Sequence, residues 1–531
     1  MNLLEDKWLP VHTTQGETHI APWQISDPDV LALAAPRPDF NGALLQFLIG
    51  LLQTACPPDD NNQWGEWLEN PPAPETLKLL FEPYTPAFNL DADGPKFMQD
   101  YAPLDGVPKP IANLLIETPG DKALKENRDH FIKRGKVNNI CPNCAATALF
   151  TLQTNAPEGG RGFRTSLRGG GPLTTLVALD THHGSGNNQQ LANSLWRGCW
   201  LNVLNKGDLP TLSGNTDLSE PPAIFPWLAS TRTSHGKGDI TTPKDAHPLQ
   251  MYWGMPRRIR LDWKQTTRGS CDLCGKKSDS LISRCDTKNY GTNYDGPWKH
   301  PLSPHINNKD GLALPQHAQP GGLQYQHWLG LTSTGTNNHP AKIITSYLES
   351  EGTGRQLRGE QLRIHVFGYD MKSNKSRCWY ETTFPLFPLD AAIREQFIEI
   401  AEILIETATG VASMTRSCIK EAWFKRPGDA KGDTNFLQEA FFSHTENAFF
   451  TALKTLKDQL DRDQNETRIL REWHRTLCDS AFQLFDYWTS RGDFETVNPR
   501  RIATAHKKLK NWLYSKKLKK KLQLNNKEKS A

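Results

Sequence analysis

Two Cys-x-x-Cys motifs, Cys141–Cys144 and Cys271–Cys274, constrain the fold of this chain more than any other feature. Together they supply four thiolates, the number that a tetrahedral structural zinc ion requires. A two-residue spacer lets one turn direct both sulfurs to a common point, and Gly275 favours a tight turn after the second motif. Zinc ribbons separate their two motifs by about 15–20 residues, whereas here more than a hundred intervene. A shared metal would therefore pin two distant stretches of one large domain.

The alternative is that the motifs are two unrelated pairs of buried or redox-active thiols. The other six cysteines are scattered singly, as is usual for core and surface thiols in a reducing compartment. They are Cys56, Cys199, Cys285, Cys378, Cys418 and Cys478.

The length of 531 residues predicts two or three domains. No stretch approaches the roughly 18 consecutive apolar residues of a membrane span. The acidic pair Glu5 and Asp6 stands where a signal peptide would be basic and then apolar. We therefore expect a cytoplasmic protein with no membrane segment. The net charge of +4 excludes a histone-like polycation, but the segment from Arg500 to Lys529 is strongly basic.

The hydrophobic pattern changes after Pro388 and predicts an α+β fold with two domains. Residues 1–390 are predicted to form a large mixed α/β domain, with a helix at 147–152 and strands at 174–179 and 362–367. Residues 391–531 are predicted to form an antiparallel four-helix bundle, because four amphipathic runs follow one another with short connections. These runs are 391–422, 436–460, 467–489 and 502–522.

A glycine-rich segment, 157–171, is the second strong signal. It lacks the Gly-Lys-Ser/Thr of a phosphate-binding P-loop and the spacing of a dinucleotide fingerprint. Glycines without Cβ let Gly159, Gly160 and Gly162 approach a surface closely. The segment therefore predicts a backbone that enters a DNA groove; the alternative is a flexible loop with solvated arginines. The arginines expected to contact phosphates are Arg161, Arg164 and Arg168.

A basic stretch precedes the first cysteine motif. Phe131 is a candidate to stack on an unpaired base. Lys133, Arg134 and Lys136 are candidates to hold phosphates. A plain basic surface loop explains the stretch equally well.

Two further segments are candidates for nucleic-acid contact. Arg258 and Arg260 alternate on one face of a predicted strand, and Lys288, Asn289 and Tyr290 follow the second cysteine motif. The segment 371–377 lies between two β-rich runs and predicts a hairpin with a small polar tip, although most such tips are only turns.

Catalytic patterns are weak, and we assign no catalytic residue. His182 and His183 follow Asp180, and His300 and His305 flank a proline-rich turn. Neither group has partners at a recognisable spacing, so solvated or structural histidines are the simpler interpretation.

Taken together, these segments resemble the CasA family, the large subunit of the type I-E CRISPR surveillance complex called Cascade. The order and approximate spacing of the shared motifs hold over nearly the whole chain, including the cysteine motifs and the helical end. The other shared segments are Met1-Asn2-Leu3-Leu4, Trp8-Leu9-Pro10-Val11, Ala148-Leu149-Phe150, Leu167-Arg168-Gly169-Gly170, Pro172-Leu173-Thr174-Thr175, Trp298-Lys299-His300-Pro301-Leu302-Ser303-Pro304 and Cys378-Trp379-Tyr380-Glu381.

The resemblance implies a non-catalytic DNA reader. Such a subunit inspects duplex DNA for the protospacer-adjacent motif (PAM), largely from the minor groove. It then separates the strands for R-loop formation and helps recruit a separate helicase-nuclease. Its implied partners are the other Cascade subunits, the CRISPR RNA and the target double-stranded DNA, and its implied metal is a structural zinc ion.

The family's parts are carried over onto this chain residue by residue. The loop at 158–162 resembles the groove-reading loop, and Lys288, or Asn289 in a strict alignment, stands where a lysine finger is expected. The tip Ser373, Asn374, Lys375 and Ser376 resembles the strand-separating wedge, and Phe131 lies in the RNA-proximal loop.

The chain departs from the family pattern at two places. Glu158 and Arg161 replace glycines of the groove-reading loop, and Asn374-Lys375 replaces a glutamine at the wedge. Two rival functions remain open at this stage. One is a zinc-pinned nuclease that uses the histidines at 182–183 or at 300 and 305, and the other is an RNA-binding zinc protein.

Overall fold

The computed structural model divides the chain into two compact units. The first unit comprises Met1–Gln319 and Thr334–Leu386, and the second comprises Pro320–Ser333 and Phe387–Ala531. None of the helices in the described part of the chain has the length and apolar character needed to cross a membrane. The described residues are 1–119, 125, 132–133, 135–160, 162–180, 194–209, 220–236, 238–348, 357, 361–372, 375–429, 432–462, 464–490 and 498–524.

The helices are distributed over both units, with α7 and α9 to α13 in the second. They are α1 (Pro38–Ala55), α2 (Asn61–Glu69), α3 (Pro74–Phe81), α4 (Pro142–Asn155), α5 (Leu195–Trp200), α6 (Pro221–Ile224), α7 (Trp328–Thr332), α8 (Lys342–Leu348), α9 (Ala391–Trp423), α10 (Phe436–Leu460), α11 (Thr467–Ser490), α12 (Pro499–Leu513) and α13 (Lys516–Lys521).

Among the described residues, the strands all belong to the first unit. They form small sheets with the orders β2-β1-β3, β11-β10-β12, β14-β13-β5, β4-β9-β6 and β7-β8. They are β1 (Leu9–Thr13), β2 (Gly16–Ile20), β3 (Val30–Leu33), β4 (Val107–Pro110), β5 (Thr174–Leu179), β6 (Arg258–Leu261), β7 (Thr267–Ser270), β8 (Lys277–Leu281), β9 (Arg284–Lys288), β10 (His305–Asn307), β11 (Ala313–Pro315), β12 (Asn338–His339), β13 (Leu362–Lys372) and β14 (Lys375–Leu386). The predicted strands near 174–179 and 362–367 are confirmed as β5 and β13.

The core of the first unit forms around α1. This helix is buried on nearly every face because its sequence is apolar all round. At its centre the Phe47 ring meets five other aromatic rings edge to face, with centroids 5.5–5.9 Å apart, a geometry that the ring quadrupole favours. The five rings belong to Trp8, Phe88, Phe97, Phe150 and Trp253.

The predicted hairpin is confirmed as the antiparallel pair β13–β14, and β5 pairs with the other edge of β13. The hairpin is fixed firmly to α1. The hydroxyl of Tyr369 donates to Asp39 Oδ2 at 2.6 Å. A Cβ on Gly42 would lie only 2.8 Å from the Trp379 ring, so only glycine lets helix and hairpin pack this closely.

The second unit is helical, and α9 packs against α10, α11 and α12. Within this unit the Tyr325 hydroxyl is 2.9 Å from Thr445 Oγ1, and its ring stacks on Phe449 with centroids 4.3 Å apart. These contacts explain why Pro320–Ser333 groups with the helices. The predicted fold class, a mixed α/β region followed by C-terminal helices, is confirmed. The domain boundary at 390/391 stays a prediction.

The fourth predicted helical run, 502–522, is not continuous. The structure divides it into α12 and α13 at Tyr514 and Ser515. The Ser515 hydroxyl accepts a hydrogen bond from the Leu518 N–H at 3.3 Å and so caps α13. Leu518 and Leu522 are buried, so α13 is a packed part of the unit.

Candidate metal centre and nucleic-acid interface

The four cysteines of the two motifs come together in the first unit, as predicted. Their sulfur atoms all lie within 4.8 Å of one another. Cys141 Sγ and Cys274 Sγ are 3.8 Å apart although the two residues are 133 positions apart in the sequence. Cys274 is partly exposed, whereas the other three cysteines are buried.

Each motif uses a local device to aim its sulfurs. In the first, α4 begins at Pro142, so its first turn carries Cys144 next to Cys141. In the second, Gly275 has a φ of +72°, and its N–H donates to the Cys271 carbonyl at 2.9 Å. Gly275 therefore closes the turn, as its lack of a Cβ predicts.

Hydrogen bonds to the backbone join the two motifs directly. The Asp272 carboxylate accepts from the N–H groups of Asn138 and Asn139 at 2.7 and 2.8 Å. One residue further, Ile140 and Ile282 exchange two backbone hydrogen bonds of 3.0 and 2.8 Å. The sulfurs are thus held in place by their supporting backbone as well as by any ion.

The donor set fits a tetrahedral metal. Zinc–sulfur bonds of about 2.3 Å place tetrahedral sulfurs about 3.8 Å apart, which is the spacing between Cys141 and Cys274. Hydrogen bonds with the neighbouring sulfurs lower the pKa of Cys271, and those with Cys141 and Cys144 lower the pKa of Cys274 to about 7. Hydrogen bonds within the same cluster raise the pKa of Cys141 and Cys144. Thiolate character near neutral pH is therefore concentrated in the second motif, and all four thiolates, the form that binds metal, would form together with a bound cation.

The glycine loop, residues 157–164, is a tight and exposed turn. The Gly159 N–H donates to the Phe163 carbonyl at 3.0 Å, and the Phe163 N–H donates to the Gly160 carbonyl at 2.9 Å. Gly160 and Gly162 have φ values of +68° and +82°, which favour glycine. A Cβ on Gly160 would meet nothing within 4 Å, so this position faces open space. Arg161 lies outside the described residues.

A buried arginine supports the glycine loop from below. Arg257 donates from Nη2 to the Pro157 carbonyl, and its guanidinium lies 5.2 Å from the centre of the Phe163 ring. Burial lowers the pKa of Arg257 to about 10. Gln153 Oε1 of α4 accepts a hydrogen bond from the Arg257 N–H at 2.9 Å. This bond connects Arg257 to the helix that carries Cys144 of the cysteine cluster.

Two arginines predicted to contact phosphates are used within the fold instead. Arg168 is 3% exposed and hydrogen-bonds the side chains of Gln46, Ser303 and Thr174, so the prediction of a phosphate contact there is wrong. Arg164 donates to the hydroxyl and the carbonyl of Ser234 at 2.8 and 3.2 Å.

The strand β9 ends beside the glycine loop. Its last residue, Lys288, pairs with Arg258 of β6. Two residues later, the Tyr290 N–H donates to the Gly162 carbonyl at 2.8 Å. The predicted lysine or asparagine finger, Lys288 and Asn289, thus directly precedes the residue that bonds the loop, and both residues are partly exposed.

The predicted cationic face of β6 is used within the first unit. Arg258 Nε forms an ion pair of 2.5 Å with Asp100 Oδ2. Arg260 donates to the carbonyls of Asp100 and Tyr101 at 2.9 and 3.1 Å. These two arginines therefore orient β6 and the loop before β4.

At the hairpin tip, Lys372 pairs with Lys375 and Met371 with Ser376. Lys375 is exposed and Ser376 is partly exposed, whereas Ser373 and Asn374 lie outside the described residues. The chain that follows the glycine loop reaches this hairpin, since a Cβ on Gly171 would lie 2.8 Å from Met371 Cγ.

The basic stretch before the first cysteine motif is only partly described. Lys133 and Lys136 are exposed, and the Lys136 N–H donates to the Lys133 carbonyl at 3.2 Å. Phe131 and Arg134 lie outside the described residues. The two lysines occupy one surface turn, and whether they contact RNA stays a prediction.

The histidines considered for a nuclease do not form a metal cluster in the described part of the chain. His300 and His305 are 3% and 5% exposed. His300 Nδ1 accepts a hydrogen bond from the Leu302 N–H at 3.1 Å, so this ring has a structural role. Burial lowers the pKa of His305 to about 4. His182 and His183 lie outside the described residues.

Comparisons with known proteins agree with this architecture. A model of the family described as CRISPR-associated protein Cse1 matches residues 2–484. The chain belongs to the Cse1 family, which is also called CasA.

Solved structures extend the likeness over nearly the full length of this Cse1-family chain. Thermobifida fusca Cse1 is similar with a TM-score of 0.69 and 16% identity, covering 99% of this chain and 98% of that one. Thermus thermophilus CasA gives 0.63 and 15%, covering 97% and 99%. A chain of a CRISPR RNA-guided surveillance complex gives 0.66 and 13%, covering 97% and 99%. At these identities, the structures show a shared fold.

Sequence reasoning placed Tyr290 in a candidate segment for nucleic-acid contact, but it did not predict the structural roles of three residues at this candidate interface of the Cse1-family protein. Arg257 supports the glycine loop, Ser234 holds Arg164, and Tyr290 bonds Gly162. Tyr290 carried a signal, because it is an aromatic residue directly after the predicted finger. The other two had none, because their partners are distant in sequence.

Proposed function

We propose that this chain is the non-catalytic large subunit of a type I-E Cascade that reads the PAM in double-stranded DNA. In this proposal it also promotes strand separation and R-loop formation, and it helps recruit the helicase-nuclease for antiviral defence. Two findings support the assignment to such a complex: membership of the Cse1 family, and the shared fold with a chain of an RNA-guided surveillance complex. The proposed partners are the other Cascade subunits, the CRISPR RNA and target DNA, and the proposed compartment is the cytoplasm.

The observation that carries the proposal is the contact between the glycine loop and the end of β9. The Gly162 carbonyl accepts the Tyr290 N–H, which brings the glycine loop next to the segment that carries the partly exposed Lys288. A backbone without Cβ at Gly160 is narrow enough to enter a DNA groove. Lys288 then supplies a cation for phosphates or for the acceptor atoms at the groove floor.

Minor-groove reading suits the task of a PAM sensor. That groove mainly distinguishes A·T from G·C pairs, so a reader there accepts several related sequences. Tolerance at this step is harmless because pairing with the guide RNA supplies the main sequence specificity, as in Cas9-type effectors.

The hairpin tip is proposed to open the first base pairs next to the PAM. Unstacking a base step costs a few kcal/mol, so the wedge must be held rigidly. Tyr369 and Gly42 fix the hairpin to α1, and Gly171 joins it to the segment that carries the glycine loop. The exposed lysines at 133 and 136 are proposed to lie near the CRISPR RNA.

The cysteine cluster is proposed to bind one structural zinc ion. The ion would hold the two Cys-x-x-Cys segments together, and α4 and Gln153 connect that point to Arg257 beneath the glycine loop. In this proposal the chain itself supplies no catalytic group, and cleavage is left to the helicase-nuclease.

The glycine loop is tested with a substitution that adds a side chain but spares the fold. Asparagine tolerates a left-handed backbone, and a Cβ at Gly160 meets nothing within 4 Å. Gly160→Asn should therefore leave the melting temperature unchanged and weaken binding of a PAM-containing duplex by about tenfold or more. The probe is a duplex pool with randomised bases beside a fixed guide-complementary target, bound by the assembled complex.

The matched control is Gly311→Asn, at a glycine with φ +78° and the same open surroundings. It should bind the duplex pool as the unchanged complex does. Lys288→Ala should weaken binding by about 1–3 kcal/mol and reduce its salt dependence. Wild-type affinity in both Gly160→Asn and Lys288→Ala would refute the proposed function.

A further inference from the structure

Tyr290 has a backbone conformation that tyrosine rarely adopts. Its φ is +60°, and only two other non-glycine residues in the described part of the chain, Met98 and Gln523, have a positive φ. A β-carbon in this region is strained, so such residues persist where the surroundings impose them, often at functional sites.

Hydrogen bonds on both sides impose this conformation. The Tyr290 N–H donates to the Gly162 carbonyl at 2.8 Å, and the Tyr290 carbonyl accepts the Ser234 N–H at 3.2 Å. Ser234 also holds Arg164 through its hydroxyl. Tyr290 is therefore fastened between the glycine loop and the segment around Ser234.

The strain does not serve to bury the ring. The side chain of Tyr290 is 37% exposed, and its ring lies 4.6 Å from the exposed His235 ring, centroid to centroid. The ring also lies against Gly162, where a Cβ would be 2.6 Å from Tyr290 Cδ1. The left-handed turn thus places an aromatic pair at the surface, directly beside the glycine loop and two residues from Lys288.

We propose that the Tyr290 ring, with His235 beside it, contacts the DNA at this same site. An exposed aromatic face packs against deoxyribose or an accessible base and tolerates different sequences, because every nucleotide offers such a surface. This inference rests on the proposed reading of duplex DNA by the glycine loop. It adds a pair of contact residues, Tyr290 and His235, to the loop and the lysine.

The ring can be removed without adding backbone strain. Tyr290→Asn retains the backbone groups that bond Gly162 and Ser234, and asparagine accepts the left-handed conformation better than tyrosine. Tyr290→Phe keeps the ring. In the assembled complex with the PAM-containing duplex pool, we expect about tenfold weaker binding for Tyr290→Asn and nearly unchanged binding for Tyr290→Phe. His235→Ala should have a smaller effect of about threefold.

Direct contact is tested by photo-cross-linking. A p-azidophenylalanine at position 290 should cross-link to DNA next to the PAM when the bound complex is irradiated. The same residue at Phe436, which is 40% exposed in the helical unit, is the control and should not cross-link there. Melting temperatures separate contact from structure, and Tyr290→Asn should melt as the unchanged protein does.

Each outcome decides the inference. If Gly160→Asn and Lys288→Ala lose binding while Tyr290→Asn keeps it, this inference alone is wrong. Weaker binding with a parallel fall in melting temperature and no cross-link would show that Tyr290 only supports the loop. If none of the variants affects binding, the proposed function fails, and this inference fails with it.

Discussion

The cysteine cluster and the glycine-loop site are built in similar ways, but the first is closed and the second is exposed to solvent. Each joins distant segments through backbone hydrogen bonds and contains a glycine turn. In the cluster, Ile140 bonds Ile282 and Gly275 closes the turn of the second motif; in the loop site, Gly162 bonds Tyr290. The cysteines turn their sulfurs inward on one another. The loop leaves Gly160 and Tyr290 exposed. We propose that the closed site stabilises the unit and that the open site binds DNA. Substitutions in the first should then lower stability, and substitutions in the second should lower DNA affinity.

The largest expected effect tests the closed site. Cys271→Ala leaves three ligands, and loss of a structural metal should cost about 4 kcal/mol or more of unfolding free energy. Elemental analysis of the purified protein should show about one zinc per chain in the unchanged protein and little in the variant. Calorimetry should show a much lower melting temperature.

The control for the cluster is Cys199→Ala, a fully buried cysteine that lies outside it. This variant should keep its zinc and lose only about 1 kcal/mol, as ordinary core substitutions do. A metal-free protein that melts like the zinc-loaded one would show that the cluster is not a stabilising metal centre.

The second prediction concerns Gly162, where one substitution should lower both stability and DNA affinity. Gly162→Ala places a Cβ 2.6 Å from Tyr290 Cδ1 on a residue with φ +82°. We expect a loss of about 1–3 kcal/mol in stability, and about a hundredfold loss in duplex affinity because the loop must move. Gly160→Asn should lose affinity but not stability. Comparing the two variants therefore distinguishes a displaced loop from a side chain that blocks entry into the groove. Equal melting temperatures of the two variants would contradict this reading of Gly162.

The third prediction separates strand opening from PAM reading. The double substitution Asn374→Gly and Lys375→Ala is compatible with a hairpin turn and removes the two largest polar side chains of the tip, leaving Ser373 and Ser376. R-loop formation on fully paired DNA should slow about tenfold, since the tip no longer offsets the few kcal/mol of unstacking. Binding to a short PAM duplex should survive.

A target mismatched next to the PAM is the diagnostic substrate for this variant. The mismatch removes most of the opening cost and should restore the rate of the tip variant. It should not restore Gly160→Asn, whose defect precedes opening. Equal rescue of both variants would show that the two regions do not divide the work in this way.

The smallest effect concerns the helical unit. Lys516, Lys517, Lys519 and Lys520 lie on α13, and changing all four to glutamine should weaken binding slightly and equally for all targets. The slope of log affinity against log salt should fall by about 0.9 for each lost phosphate contact. Four arginines at these positions should preserve the slope. Deletion after Leu513 is a poorer test, because it also removes the buried Leu518 and Leu522.

Local patterns predicted much of the fold because local chemistry determines those parts. The spacing of the cysteines predicted their cluster, apolar periodicity predicted α9 to α11, and β-rich runs around a polar turn predicted the β13–β14 hairpin. The grouping of Pro320–Ser333 with the helices was not predictable, since it depends on Tyr325 fitting between distant side chains.

Only part of the candidate site could be predicted, because the rest also depends on contacts between residues that are distant in sequence. The glycines of the loop stand out in the sequence, and so does Lys288 after a cysteine motif. Arg168 looked like a phosphate ligand because glycines surround it, but Gln46, Ser303 and Thr174 together bury its charge. Whether a polar side chain faces solvent depends on the residues that fold over it, and those lie more than a hundred positions away in two of three cases.

The separation of the cysteines also determines when the proposed metal centre can form during synthesis. Cys141 and Cys144 emerge from the ribosome long before Cys271 and Cys274, and Cys274 follows Cys141 by 133 positions in the chain. Closing a loop costs entropy that grows only slowly with its length, by about 0.6 kcal/mol per doubling. Formation of the site is therefore delayed more by the order of synthesis than by the cost of closing the loop. A zinc ion held by all four sulfurs would therefore mark a chain translated beyond residue 274, and truncated chains would lack that mark.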